Sequence, residues 1–304
     1  MGKFFSNVLK RKYSDEARGA LMTIKISSCQ FELQKVDNFS TFKDRILHAF
    51  NDVPLTSDYV LLPELFTMSL LTTYNNYNQF TEKDNEKLGF FLDDYLEFFN
   101  NLSQKRKQII IAGSTIEPAN KGNYNTTYIF DGNGNVFKHR KTHIFPAESA
   151  WNTKEGDELE VFKIGPVTFG IAICYEIEIP EIAHIYSQKG ADIIFCPSYT
   201  FSEYGFWRVR HCAHARSVEN QLYVVHCPTI GEIQGPILNG FGTTAIIGPA
   251  DLPWTENGVI AETTSKSSSV ITAELSLEDL YENRKNGAAT TYKDRIRRKD
   301  IYTL

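Results

Sequence analysis

The chain alternates between two periodicities, and that alternation limits its fold more than any other feature. Short apolar runs that read as strands are followed by segments with apolar residues at three- and four-residue steps, which read as helices. Ile24 to Phe31 alternates apolar and polar residues as a half-buried strand does, and Phe39 to Phe50 then takes helical spacing. Tyr59 to Leu62 is a brief apolar run suited to a central strand. Leu88, Phe91, Leu92, Tyr95, Phe98, Phe99 and Leu102 predict one face of a long helix, and Gln108 to Ser114 a buried strand. The second half repeats the style. Val167 to Ile173, Ala191 to Cys196 and Leu222 to His226 read as strands, while Pro180 to Gln188 and Phe206 to Gln221 read as helices, the first with proline in its opening turn. Asp131 to Asn135 predicts a hairpin turn and Ser265 to Ser269 a further turn. No internal repeat or linker interrupts the series, so residues 22–304 read as one α/β domain with mixed sheets. Met1 to Leu21, polar and basic with Lys10-Arg11-Lys12, reads as an appended arm, with an organellar address as the other reading.

Composition removes several function classes. The net charge is −5, from 32 basic and 37 acidic residues, which argues against a nucleic-acid surface. No apolar run approaches the roughly 18–20 residues of a membrane span. Five cysteines scattered through a chain of 304 residues read as reduced and cytoplasmic. Cys29, Cys196, Cys212 and Cys227 sit among apolar neighbours and read as small buried hydrophobes. His211, Cys212 and His214, with His226 and Cys227, raise the question of a metal. Arg208, Arg210 and Arg216 surround the first group and no Cys-x-x-Cys pair is present, so these read as helix surface and packing, with no metal or other cofactor.

Functional residues of α/β folds gather where strands end. Glu64 directly follows the run Val60-Leu61-Leu62-Pro63. Apolar surroundings disfavour its charged form and suit it to a general base, the alternative being an exposed strand-end carboxylate. Lys141 lies in a basic run, Lys138-His139-Arg140-Lys141, that turns at once apolar and ends in Pro146-Ala147-Glu148. It is either a solvated cation or part of a closed site. Cys174 ends the strand Phe169 to Ile173, and Pro180 opens a helix shortly after. Such a strand–turn–helix elbow presents a nucleophile, and nearby positive charge favours the thiolate. Phe145, Tyr199, Phe201, Tyr204 and Trp207 could line a pocket or fill the core.

Together these segments resemble the signature blocks of the carbon–nitrogen hydrolase (nitrilase) superfamily: Pro63-Glu64-Leu65, then Arg140-Lys141-Thr142-His143-Ile144-Phe145, then Ile173-Cys174-Tyr175-Glu176 with Pro180-Glu181. Pro197-Ser198, Ala215 to Val224 and Gly242 to Pro249 continue the likeness, which spans about residues 22–304. The resemblance implies a four-layer α-β-β-α sandwich and a Glu64–Lys141–Cys174 catalytic set. It assigns Cys174 the attack, Glu64 the proton transfers, and Lys141 with the Tyr175 backbone N–H the oxyanion. Glu148 matches the family's second glutamate, which positions substrate or Lys141. It also implies a homodimer or larger even assembly, through Pro180–Gln188 with Ile182, Ala183, Ile185 and Tyr186, and through the tail Asp294 to Leu304 with Tyr302. Tyr175, where true nitrilases carry tryptophan, points to the amidase-like branch and to a small amide or carbamoyl amide as substrate. The alternatives are a soluble N-acyltransferase, a nitrilase, or a non-catalytic scaffold of the same fold.

Overall fold

The computed structural model describes residues 23–301, apart from 234. The N-terminal arm, the boundary at Met22 and the tail residue Tyr302 lie outside the described residues.

Six α-helices and fourteen strands are described. The strands are β1 (Thr23–Glu32), β2 (Tyr59–Leu61), β3 (Ile109–Ile111), β4 (Thr115–Pro118), β5 (Asn123–Phe130), β6 (Val136–Arg140) and β7 (Thr153–Lys154) in the first half. In the second half they are β8 (Val161–Ile164), β9 (Val167–Ile171), β10 (Ile193–Ser198), β11 (Tyr223–Ile230), β12 (Ala245–Ile247), β13 (Val259–Glu262) and β14 (Ser269–Ser276). The helices are α1 (Phe39–Phe50), α2 (Leu92–Arg106), α3 (Pro180–Gln188), α4 (Glu203–Asn220), α5 (Leu277–Asn286) and α6 (Thr291–Arg297).

The strands run in the order β4-β5-β3-β2-β1-β11-β10-β9-β8, with β14 added to β1 and β12 to β11. The join between β1 and β11 is short, pairing only Phe31 with Thr229 and Glu32 with Ile230. It divides the strands into two mixed sheets that stack. Alternation along each strand proves the stacking, because successive side chains leave a strand on opposite faces. Tyr59, Leu61, Ile111 and Ile129 of the first sheet share a core with Phe169, Ile171 and Phe195 of the second. Their neighbours Val60, Leu62, Ile110 and Phe130 belong instead to a core with Phe42, Ile46 and Phe99 from α1 and α2. Tyr59 ties the two sheets: its ring lies 6.0 Å from those of Phe169 and Phe195, and its hydroxyl donates to the Ile164 carbonyl. Outside the second sheet, Tyr186 of α3 lies so close over Gly170 that a Cβ there would stand 2.4 Å from its ring. Layers therefore run helix, sheet, sheet, helix, as the resemblance implies.

Local chemistry sets the helix ends. Asn38 caps α1 by accepting from Thr41 N at 3.0 Å, and Phe42, Ile46 and Phe50 form its buried stripe. Ser202 caps α4 by accepting from Gly205 N at 3.2 Å. The apolar series starting at Leu88 does not begin an α-helix there. Glu82–Phe91 is a 3₁₀ segment, and α2 starts at Leu92. Within that segment Gly89 packs against Pro118 so closely that a Cβ there would come within 2.5 Å of it.

Two surfaces expected to pair with a partner also make contacts within the chain. Ile182, Ala183 and Tyr186 are buried in the chain's own core, which leaves Ile185 half-buried on α3. The C-terminal stretch folds back on its own α4: Thr291 Oγ1 donates to Val218 O at 2.9 Å and Arg295 Nη1 to Asn220 Oδ1 at 3.0 Å. Among the described residues, no helix is long and apolar enough to cross a membrane.

Candidate active site

The parallel strands β2, β9 and β10 end at the same rim of the sandwich, and the chain leaving each one delivers a functional group. Beyond β2, Pro63 leads to Glu64. Beyond β9, two residues lead to Cys174, which adopts a left-handed backbone with φ of 48°. That conformation is costly for a residue with a Cβ and marks a sharp elbow. A 3₁₀ turn from Cys174 to Glu178 follows, then α3. Tyr199 comes directly after β10, and its carbonyl accepts from the Cys174 thiol at 3.8 Å. Lys141 comes directly after β6, held by Lys141 N donating to Asn125 O at 2.9 Å.

The polar groups form one dry cluster. Lys141 Nζ donates to Glu64 Oε1 at 2.8 Å and to Glu148 Oε2 at 2.5 Å. All three side chains are at most 3% exposed. Asn125 Nδ2 bridges the same carboxylates, at 2.8 Å from Glu64 Oε1 and 2.9 Å from Glu148 Oε1. Phe145 N donates to Glu148 Oε2 at 2.8 Å, which fixes the second glutamate. Burial, and then the neighbouring Glu148, outweigh Lys141 and hold the Glu64 carboxyl above its ordinary range. Burial works against the Lys141 ammonium, but the two carboxylates overcome it and keep it charged. Burial and the Glu64 charge push the Cys174 thiol well up, despite Lys141. Lys141 does favour the thiolate, as its charge suggests, but burial and Glu64 act against it more strongly.

A small cavity of about 70 Å³ opens on this cluster. Glu64, Lys141, Glu148 and Cys174 face it, with Phe145, Trp151, Tyr199 and Phe201 as aromatic walls. Phe145 and Tyr199 lie on that wall, and the Tyr199 hydroxyl donates to the Leu238 carbonyl. Tyr175 stands one layer back, its ring 5.7 Å from that of Phe145. Tyr204 and Trp207 are not in the wall. They are 85% and 51% exposed, and Trp207 stacks on His211 at 5.5 Å. Gly205 and Val209 take the inward face of α4 instead.

Sequence reasoning missed Asn125, and it gave Glu176 no role. Glu176 is fully buried and ties three segments together. It accepts from Ile173 N at 2.7 Å, from Thr142 N and Oγ1 at 2.8 and 2.6 Å, and pairs with His139 Nε2 at 3.0 Å. It thereby joins the elbow that carries Cys174 to the loop that carries Lys141. Burial opposes its charge, but His139 and Thr142 hold its carboxyl below the usual range.

Of the histidines considered for a metal, His226 is bonded to other side chains. His226 pairs with Ser198 Oγ at 2.7 Å and accepts from Arg210 Nε at 3.1 Å. Cys29, Cys196 and Cys227 are buried, and Cys212 is half-buried. Among the described residues, no three His, Cys, Asp or Glu side chains are grouped to hold a metal.

Known proteins share this frame. The carbon-nitrogen hydrolase family profile matches residues 25–285. A probable hydrolase of Bacillus subtilis (strain 168), YhcX, is 34% identical over 92% of this chain, which spans 55% of that protein's length. The omega-amidase NIT3 of Saccharomyces cerevisiae is 27% identical over 95% of this chain and 96% of its own. The crystal structure of Saccharomyces cerevisiae Nit3, of the nitrilase superfamily, superposes with a TM-score of 0.70 at 25% identity, covering 87% of this chain and 94% of that one. With its sandwich and its matching segments, the chain belongs to the carbon-nitrogen hydrolase family, and within the nitrilase superfamily it resembles the amidase-like branch.

Proposed function

We propose that this enzyme hydrolyses the non-peptide C–N bond of a small amide or carbamoyl amide through a thioester on Cys174. The observation that carries the reading is the convergence of Cys174, Glu64 and Lys141 on one cavity. Glu64 takes the thiol proton as sulfur attacks the carbonyl carbon. Lys141, with the Tyr175 backbone N–H, stabilises the oxyanion, a contribution typically worth about 3 kcal/mol per donor. Glu64 then passes its proton to the departing nitrogen, the C–N bond breaks, and the acyl group stays on sulfur. Water enters, Glu64 removes its proton, the acid leaves, and the thiol is restored. Glu148 and Asn125 hold Lys141 and Glu64 in register. The omega-amidase relatives, and Tyr175 in place of the nitrilase tryptophan, support an amide over a nitrile.

The test compares matched amides and nitriles, with hydroxylamine present to trap the thioester and amines present as rival acceptors. Amides should turn over faster, the Cys174→Ala enzyme should form no hydroxamate, and free acid should dominate. Faster nitrile turnover would replace the reading with a nitrilase, and dominant N-acyl products with an acyltransferase. We also propose a homodimer or larger even assembly. Light scattering at micromolar concentration should return at least twice the chain mass, and a monomer would remove that proposal.

A further inference from the structure

Outside the catalytic cluster, the cavity wall holds one more pair of opposite charges. Glu178 and Arg208 both face the cavity. They come from different elements, Glu178 from the last position of the 3₁₀ turn begun by Cys174 and Arg208 from α4. Their ion pair is a single contact, Arg208 Nε to Glu178 Oε2 at 3.3 Å. Charge-assisted contacts of this kind normally close to about 2.7–2.9 Å, so this one is loosely made. The two partners differ in setting: the Glu178 side chain is 16% exposed and that of Arg208 52%. The base beneath Glu178 is fixed. Arg216 Nη2 donates to the Glu178 carbonyl at 2.9 Å and Arg216 Nε to the Ile177 carbonyl at 3.0 Å. A 3₁₀ turn rises about 2 Å per residue, which sets Glu178 on the order of 8 Å along the turn from Cys174. The other charges facing the cavity, on Glu64, Lys141 and Glu148, are already joined to one another.

Resting on the amidase reading above, we propose that the far end of the substrate is a zwitterion, an ammonium beside a carboxylate as in an α-amino acid. The ammonium goes to Glu178 and the carboxylate to Arg208, and the amide lies at Cys174. Such an end exchanges one long ion pair for two well-formed charge-assisted contacts. A neutral alkyl amide leaves the pair as it is and gains nothing from it. A singly charged end separates the pair and satisfies only one of its members.

Four amides of five carbons separate these cases: glutamine, 5-aminopentanamide, glutaramate and pentanamide. The expected order of kcat/KM places glutamine first, about a hundredfold or more above pentanamide, with the singly charged amides between. Glu178→Gln should lower glutamine and 5-aminopentanamide about tenfold or more and leave glutaramate undiminished. Arg208→Gln should lower glutamine and glutaramate by a smaller factor, because its guanidinium is half in water. Equal rates for all four amides, or a singly charged amide well above glutamine, would overturn the proposal. Labelling of Cys174 by iodoacetamide and hydroxamate formation from pentanamide keep the two readings apart. If both persist while the order fails, only the zwitterion is lost. If no amide acylates Cys174, the amidase reading fails first.

Discussion

Arg140 and Lys141 are neighbours in the chain, yet they govern carboxylates of opposite character. Arg140 leaves the end of β6 on the open side and meets Glu117, donating through Nε at 3.0 Å and Nη2 at 2.6 Å. Lys138 adds a contact at 2.7 Å and Thr126 one at 2.8 Å. Burial resists the charge on Glu117, but these donors prevail and hold its carboxyl down at about 2. Lys141 points inward and meets Glu64 and Glu148, and there the Glu64 carboxyl is held up. Both sites are carboxylates against cations at bonding distance. They differ in stoichiometry and wetness. Two partly solvated cations serve one carboxylate in the first, while one dry cation serves two in the second. Burial first, and then the second carboxylate, sets the difference in proton affinity, and so the first cluster is suited to holding a fold and the second to moving a proton.

Removing the single inner cation should have the largest effect. Lys141→Met leaves two buried carboxylates facing each other, so turnover should be lost and unfolding free energy at neutral pH should drop by about 3 kcal/mol or more. Urea titration and ammonia release measure both. A variant that kept wild-type stability would break the contrast. Glu64→Gln should cut kcat by about a hundredfold or more, because an amide cannot accept the proton. Its stability should hold or rise, since the repulsion between Glu64 and Glu148 disappears. A loss matching that of Lys141→Met would mean the cluster is structural.

Acidity sharpens the same contrast. Glu64 must be ionised to act as base and its affinity for a proton is raised, so the acid limb of kcat/KM should lie above the 4.5 of an ordinary glutamate. A limb at or below that value would show the base to be another group. The smallest effect belongs to Glu117→Gln. The folded carboxyl sits at about 2 against 4.5 when unfolded, so its contribution is complete above 4.5 and fades as pH falls towards 2. The variant should lose about 1 kcal/mol at pH 7, after allowance for solvent around its cations, and converge with wild type in acid. Activity at pH 7 should stay within about twofold.

The sequence made part of the inner cluster legible because two of its members stand at strand ends, where an apolar run stops and a chemical group begins. Glu64 and Cys174 carry that mark, whereas Lys141 follows a basic run and Glu148 lies in the 3₁₀ segment Pro146–Trp151, and both were legible through the family resemblance. Asn125 lacks the mark: it sits within β5 among threonines and tyrosines, where an inward amide and an outward one look alike. Glu178 and Arg208 escaped for another reason, since thirty residues and two elements separate them. The aromatic wall was half legible. Phe145 stands at the start of a 3₁₀ segment and Tyr199 directly after β10, whereas Tyr204 and Trp207 lie on a helix, where a rotation of about 100° per residue decides inside from outside. Gly205 and Val209 claimed the inside. The sandwich itself was hidden in β2 and β3, whose apolar runs lack the polar alternation of a one-sided sheet, and in β1, whose alternation suggests one wet face although Ser27, Ser28 and Gln30 are buried.

The placement of β1 has a further consequence, for biosynthesis. This strand leaves the ribosome before any other described element, yet it lies mid-sheet, between β2 and β14. Ser27 meets its partner Thr272 only after 245 residues. At about 5–20 residues per second, that interval is on the order of 10–50 s. Throughout it, one side of β1 is an unpaired sheet edge, the kind of surface that recruits a wrong strand. The enzyme therefore closes its first layer with the last of its described strands, and until then the nascent chain depends on dilution, or on the chaperones that meet it, to keep that edge vacant.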